Sequence, residues 1–290
     1  MRNFVIMTDS CADLPASVVE QLGIEVLPLM FNLDNKDYHN HPDNREMGPK
    51  VFYDLLRSGK TATTSAVNVG QYTEAMEPLL QEGKDVLVLA FSSSLSTTYN
   101  SGVIAAEELA EKYPERKIYV VDTLCASLGQ GLFVYLAAQK RDEGMDIEQV
   151  RDWAEANKMA VAHHFTVNDL FHLKRGGRVS AATAVVGTML SIKPVLHVDD
   201  EGHLVSVSKA RGRAASIRAL FETMEKTVVD PESQTVFISH GDCVEDAQKL
   251  ADMIRARWNV RDVILNEIGP VIGAHAGPGT VALFYMASQR

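Results

Sequence analysis

Short apolar runs alternate with helical patterns through the first half of the chain. Phe4-Val-Ile-Met7, Asp85-Val-Leu-Val-Leu-Ala90 and Lys117-Ile-Tyr-Val-Val121 are nearly continuous apolar runs bounded by polar residues, as in strands buried on both faces of a parallel sheet. Apolar spacing predicts helices over 49–56, 69–81, 102–112, 130–143 and 146–157. A further helix is predicted to start at Asp13-Leu-Pro15, with Asp13 as cap and Pro15 in the first turn, and to stop at Gly23. Residues 24–32 read as one strand, with Pro28 marking an edge position, and Asp34-Asn-Lys-Asp37 as the turn of a short hairpin returning through Tyr38. Lys60-Thr-Ala-Thr-Thr-Ser-Ala66 reads as a hydroxyl-rich loop. This strand–helix alternation predicts a mostly parallel sheet.

Past residue 160 the pattern changes. A strand over 161–167 precedes a basic turn, Leu173-Lys-Arg-Gly-Gly-Arg178, and an apolar, small-residue stretch over 181–190 predicts a buried helix. Lys193-Pro-Val-Leu-His-Val198 and His203-Leu-Val-Ser-Val207 flank Asp199-Asp-Glu-Gly202, a hairpin pattern. Helices over 214–228 and 245–257, strands over 235–239, 262–268 and 281–286, and a glycine-rich loop over 269–279 complete the chain. The expected architecture is α/β: an N-terminal, mostly parallel α/β/α sheet domain over 1–160 and a C-terminal α+β domain over 161–290.

Composition narrows the function classes. The 290 residues are 46% hydrophobic and 23% charged, enough to bury a sizeable core. A formal net charge of -10 argues against nucleic acid as the main partner. Three distant cysteines, Cys11, Cys125 and Cys243, form no CxxC pair and suggest a reduced, cytoplasmic setting. The first residues contain too short an apolar run for a signal peptide, and no run approaches a membrane helix, so no stable membrane insertion is expected. Cofactor and metal motifs fail. Ser58-Gly-Lys-Thr61 imitates a phosphate loop, but Asp54 stands where glycine is needed and a helix precedes it. Gly277-Pro-Gly279-Thr-Val-Ala282 imitates a dinucleotide fingerprint, yet only residues 283–290 follow. His39 with His41, and His163 with His164, lack partners at metal-site spacing.

The candidate chemistry lies elsewhere. Between Ser92 and Thr98 every residue but Leu95 carries a hydroxyl, and the stretch sits between a buried strand and a helix. That position suits a cradle for a carboxylate or phosphate, and equally an ordinary Ser/Thr cap. Asp9 and Asp122 end strands, where they either orient loops or act as acids; Cys11 reads as a buried thiol. His275 lies among Gly269, Gly273, Gly277 and Gly279, where backbone can approach a ligand and an imidazole can be aimed at it. Arg175 and Arg178, and Arg211 and Arg213, flank glycines in two cationic turns that could dock a partner or a phosphate.

Together these pieces resemble the DegV family, the bacterial fatty-acid-binding proteins of the FakB type. The resemblance runs through Thr8-Asp9-Ser10 with Asp13-Leu-Pro15, Thr63-Thr64-Ser65, Ser92 to Tyr99, Arg175-Gly-Gly-Arg178, Lys193-Pro-Val-Leu196, and Gly269-Pro270 to His275 with Gly277. It implies two α/β domains with a long-chain fatty acid in a tunnel between them. It also implies a carboxylate held by Thr63 or Thr64, by Ser93 and by His275. No cofactor is implied. The partner implied is a separate fatty acid kinase, FakA, which makes an acyl phosphate for phospholipid synthesis, with Arg211 among the docking candidates. The chain departs from the family pattern at Ala66-Val67, usually Gln-Pro, and at Thr97, usually glycine. Two rival readings are a serine hydrolase of lipid esters, with Ser93 attacking and His275 as base, and a binder of another small anion. No Gly-x-Ser-x-Gly elbow supports the hydrolase.

Overall fold

Residues 4–179 and 192–290 are described in this computed structural model, and their strands gather into three sheets. The helix expected over 181–190 lies outside the described residues. The first sheet is fully parallel, in the order β2 (Ile24–Leu27), β1 (Phe4–Asp9), β6 (Asp85–Ala90), β7 (Ile118–Asp122). Its near-continuous apolar runs are explained by burial on both faces. Ile6, Leu87 and Leu89 pack towards α5 (Leu128–Asp142) and α6 (Ile147–Asn157). Met7, Val86 and Val88 pack towards α3 (Val69–Gln81) and α4 (Thr98–Lys112), against Tyr72, Met76 and Leu109.

A small antiparallel sheet follows the order β4 (Lys36–His39), β3 (Met30–Leu33), β5 (Ala62–Ser65). It corrects two sequence expectations. The single strand over 24–32 breaks at Pro28, which has no N–H for a ladder, so β2 and β3 join different sheets. The hydroxyl-rich loop over 60–66 contains a strand, whose β-branched threonines suit the pleat beside β3. Its side chains alternate, leaving Thr63 exposed and Thr64 half-buried.

The third sheet is mixed: β10 (Leu204–Arg211), β9 (Ile192–Val198), β8 (Val161–Thr166), β13 (Val281–Met286), β11 (Thr235–His240), β12 (Asp262–Glu267). Only its β11–β12 pair is parallel. One face packs on α8 (Arg213–Thr227) and α9 (Val244–Arg257) through Ile217, Leu220, Leu250 and Ile254. On the other face, Phe165, Phe237 and Phe284 join the core that contains α5. Helix α5 is therefore a wedge between the parallel and mixed sheets.

Two further expectations change. The glycine-rich segment before β13 is not all loop: α10 (Pro270–Ala276) begins with Pro270 at its first position and ends at Gly277, whose φ is 78°. Asp13 caps nothing in α1 (Ala16–Leu22), whose N-cap is Pro15. Asp13 instead turns at φ 50° and buries its carboxylate.

Candidate functional site

In the parallel sheet the chain leaves β1 for β2 on one side and returns to β6 on the other. The carboxyl ends of β1 and β6 thus form a topological switch point, the usual place for a ligand in an open α/β sheet. A cavity of about 470 Å³ lies there, between the parallel and mixed sheets. Cys11, Phe91 and Leu95 wall one side; Phe165, Val198, Ala282 and Phe284 wall the other; Val271 and Ile272 of α10 close over it. Its polar lining comes from Thr64 and Ser65 of β5, Ser93, Ser96 and Thr97 after β6, Ser127 and Thr280, His163, His275 and Arg178. The lining is otherwise apolar.

Thr64 and His275, far apart in sequence, meet here: Thr64 Oγ1 lies 2.8 Å from His275 Nε2. Burial, with the nearby Arg178 and Arg175 charges adding to it, pushes the His275 imidazole down to about 4, so it is neutral at neutral pH. Its Nδ1 is buried without a hydrogen-bond partner. That nitrogen faces Gly176, where a Cβ would stand 2.2 Å away, so the first glycine of Arg175-Gly-Gly-Arg178 serves the site by leaving room for the ring. Ser93 lines the same cavity, and its backbone N–H donates to Asp122 Oδ1 at 3.2 Å. Thr63 does not line it.

The hydroxyl stretch divides its labour. Ser92 Oγ donates to Gly202 O at 3.1 Å and Ser94 Oγ to Glu201 O at 2.6 Å, latching the tip of the β9–β10 hairpin beside Ser93. Ser96 and Thr98 hydroxyls pair at 2.9 Å, and Thr98 Oγ1 accepts from Val67 N–H. Of the family departures, Ala66 and Thr97 line the cavity and Val67 is fully buried. Thr97 has φ -78°, a conformation open to any residue.

Asp9 and Asp122 orient loops. Asp9 accepts from Cys11 N–H at 3.0 Å, Phe91 N–H at 2.9 Å and Gln130 Nε2 at 3.1 Å, binding the ends of β1 and β6 to α5. Burial raises the Asp9 carboxyl pKa and pushes the Cys11 thiol well up, which disfavours the thiolate. Asp13 accepts from Ser127 Oγ at 2.6 Å and Gly269 N–H at 2.9 Å, so it ties the loop after β1 to the start of α10. Burial raises its pKa to about 7. Apart from the local Asp9–Cys11 bond, these brace contacts were not legible as such, because they join residues 82 or more apart in sequence.

The four arginines separate. Arg178 is half-buried, donates to Leu95 O at 3.3 Å and lines the cavity. Arg213 is held by Asp246 at 2.8 Å. Arg175 and Arg211 are exposed. The Ser–His pairing of the hydrolase reading is not formed: His275 Nε2 engages Thr64, and no carboxylate orients Nδ1. Among the described residues, no cluster of three or more His, Cys, Asp or Glu could hold a metal, and no helix is long and apolar enough to cross a membrane.

Comparison with known proteins identifies a family and a shared fold. The model of the DegV family of uncharacterised proteins matches residues 3–288. A DegV domain-containing protein of Clostridium perfringens is 50% identical over 290 residues, covering 100% of this chain and 99% of that protein. A DegV family protein of Thermus thermophilus, whose structure is described as showing fatty acid binding, superposes with a TM-score of 0.89 at 31% identity over 99% of this chain and 100% of that one. DegV of Bacillus subtilis, described as a fatty acid binding protein, gives a TM-score of 0.85 at 28% identity over 99% and 100%.

Proposed function

Because the chain belongs to the DegV family, we propose that it binds a long-chain fatty acid in the cavity between its parallel and mixed sheets. The observation that carries this reading is the cavity itself: about 470 Å³, mostly apolar, with Thr64, Ser93 and His275 among its polar groups. An acyl tail gains roughly 0.8 kcal/mol per buried methylene, so it can be held without covalent chemistry. The carboxylate must then be satisfied by donors, since burying it unpaired is costly. A neutral His275 in its Nε2–H form donates to Thr64 Oγ1, which frees the Thr64 proton for a carboxylate oxygen. Ser93 supplies a second hydroxyl, and Arg178 a nearby cation. The site is a non-catalytic holder.

In this reading the halves 1–160 and 161–290 close over the acid and present its carboxylate to a separate fatty acid kinase of the FakA type. Exposed Arg175 and Arg211 are the docking candidates that fit an external partner, whereas Arg213 is already paired with Asp246. The hydrolase alternative is disfavoured by the Thr64–His275 pairing.

Native mass spectrometry of the purified protein, followed by solvent extraction, tests the reading. A co-purified or readily loaded long-chain acid is expected. A protein that takes up no fatty acid, or one labelled at Ser93 by a fluorophosphonate with ester turnover, would overturn it.

A further inference from the structure

The cavity lining contains a second imidazole, His163, that the carboxylate site does not use. Strands β8 and β13 pair with His163 opposite Phe284 and Phe165 opposite Ala282, and these four side chains line the cavity. Helix α10, which carries His275, runs out at Ala276, and the chain reaches β13 through Thr280. Phe284 lies four residues beyond Thr280, roughly 13 Å along the strand. Thr280 Oγ1 donates to Ala276 O and Gly277 O at 3.0 Å, pinning the start of β13 to the end of α10, so along β13 the Phe165–Ala282 row comes first and the His163–Phe284 row lies one step farther from α10.

The His163 ring is fixed on every side. Its Nδ1–H donates to Val161 O at 2.9 Å, and its Nε2 accepts from Ala126 N–H at 3.2 Å, which sets one neutral tautomer. Its edge meets the Phe284 ring, with centroids 5.3 Å apart. Behind it stands Gly129 of α5, where a Cβ would come within 2.1 Å of Nε2. Both nitrogens are occupied by backbone, so this polar side chain offers the cavity no free hydrogen-bonding atom and forms a wall that cannot recede. An aliphatic residue here would leave the Ala126 N–H without its acceptor.

We propose that His163, locked by Val161, Ala126 and Gly129, is the depth gauge of the cavity and sets the longest acyl chain it accepts. The proposal rests on the fatty-acid reading and adds the residue that limits tail length. Burial holds the imidazole far below its ordinary pKa, so the gauge stays uncharged across the working pH range.

Opposite variants give the test. His163→Ala removes the wall and should favour acids about two methylenes longer, changing the long-to-short affinity ratio about tenfold. Gly129→Ala forces the ring into the cavity and should favour shorter acids by a similar factor. Phe284→Leu, which keeps both imidazole bonds, should lengthen the preference as well and stands in if His163→Ala does not fold. The readout is competition among straight-chain saturated acids from lauric to arachidic, with bound species resolved by native mass spectrometry. Opposite shifts support the gauge. Unchanged profiles, or shifts in the same direction for His163→Ala and Gly129→Ala, overturn it. A wild type that takes up no acid sinks the fatty-acid reading and the gauge together, whereas wild-type uptake with unmoved variants removes the gauge alone.

Discussion

Thr64 and Thr63 are one backbone step apart and occupy opposite sides of β5. Thr64 lines the cavity and bonds His275, while Thr63 faces solvent. Thr64→Val keeps the shape but deletes the hydroxyl. By the cost of an unsatisfied buried polar group it should weaken fatty-acid affinity roughly tenfold to a hundredfold. Thr63→Val should leave affinity nearly unchanged, and equal losses in a calorimetric titration would contradict the assignment. The choice between them was not legible in the sequence, because the segment reads as a loop and only a strand gives neighbours opposite faces. The His275 imidazole supplies a second check. Its folded value of about 4 lies below the ordinary 6.5, so the neutral form is the one folding favours. Its contribution to stability is complete above pH 6.5 and is lost as pH falls towards 4. A bound carboxylate beside it should raise that pKa. NMR titration should therefore find His275 titrating near 4 in the ligand-free protein and higher when an acid is bound; an unmoved value would place the head group elsewhere.

Secondary-structure elements deliver these residues by contacts that span the chain. The loop after β6 reads in sequence as an anion cradle or a cap; in the structure Thr97, at the N-cap of α4, makes no side-chain cap bond, Ser93 lines the cavity, and neighbouring serines form a latch. Ser92 and Ser94 hold the β9–β10 hairpin tip across separations of 110 and 107 residues, which local pattern cannot reveal. Ser92→Ala should loosen that tip at a cost of about 1–3 kcal/mol. Hydrogen exchange would report it as faster exchange over 199–204, with the parallel sheet unchanged; uniform exchange throughout would show that no separable latch exists. Strands β1, β6 and β7 and helix α3 were legible because their signals, apolar runs and apolar spacing, are local; the Asn68–Gln71 capping box that starts α3 is local as well. Helix α10 was not. Its glycines argue for loop, yet Gly273 is required by packing, since a Cβ there would meet Tyr53 Oη at 2.6 Å. Tertiary contact outweighed propensity.

At the scale of the whole molecule, α5 holds two sheets apart at one end and leaves the cavity at the other, where β1 and β6 terminate. The class of fold was visible in the order of elements. The space between the sheets was not, because it belongs to neither sheet alone. A protein with a net charge of -10 gains nothing at long range from an anionic ligand, so the attraction must be local. It has to come from hydroxyls, a neutral imidazole and the Arg178 cation, together with burial of the tail. The central claim is therefore a carboxylate at Thr64, Ser93 and His275 with its tail between the sheets. Carbon NMR of palmitic acid labelled at the carboxyl carbon measures this directly. The account predicts one bound resonance, distinct from free acid, that moves in Thr64→Val and Ser93→Ala and stays put in Thr63→Val. A carboxyl resonance that remains at the free-acid position, or is indifferent to both cavity variants, would contradict it.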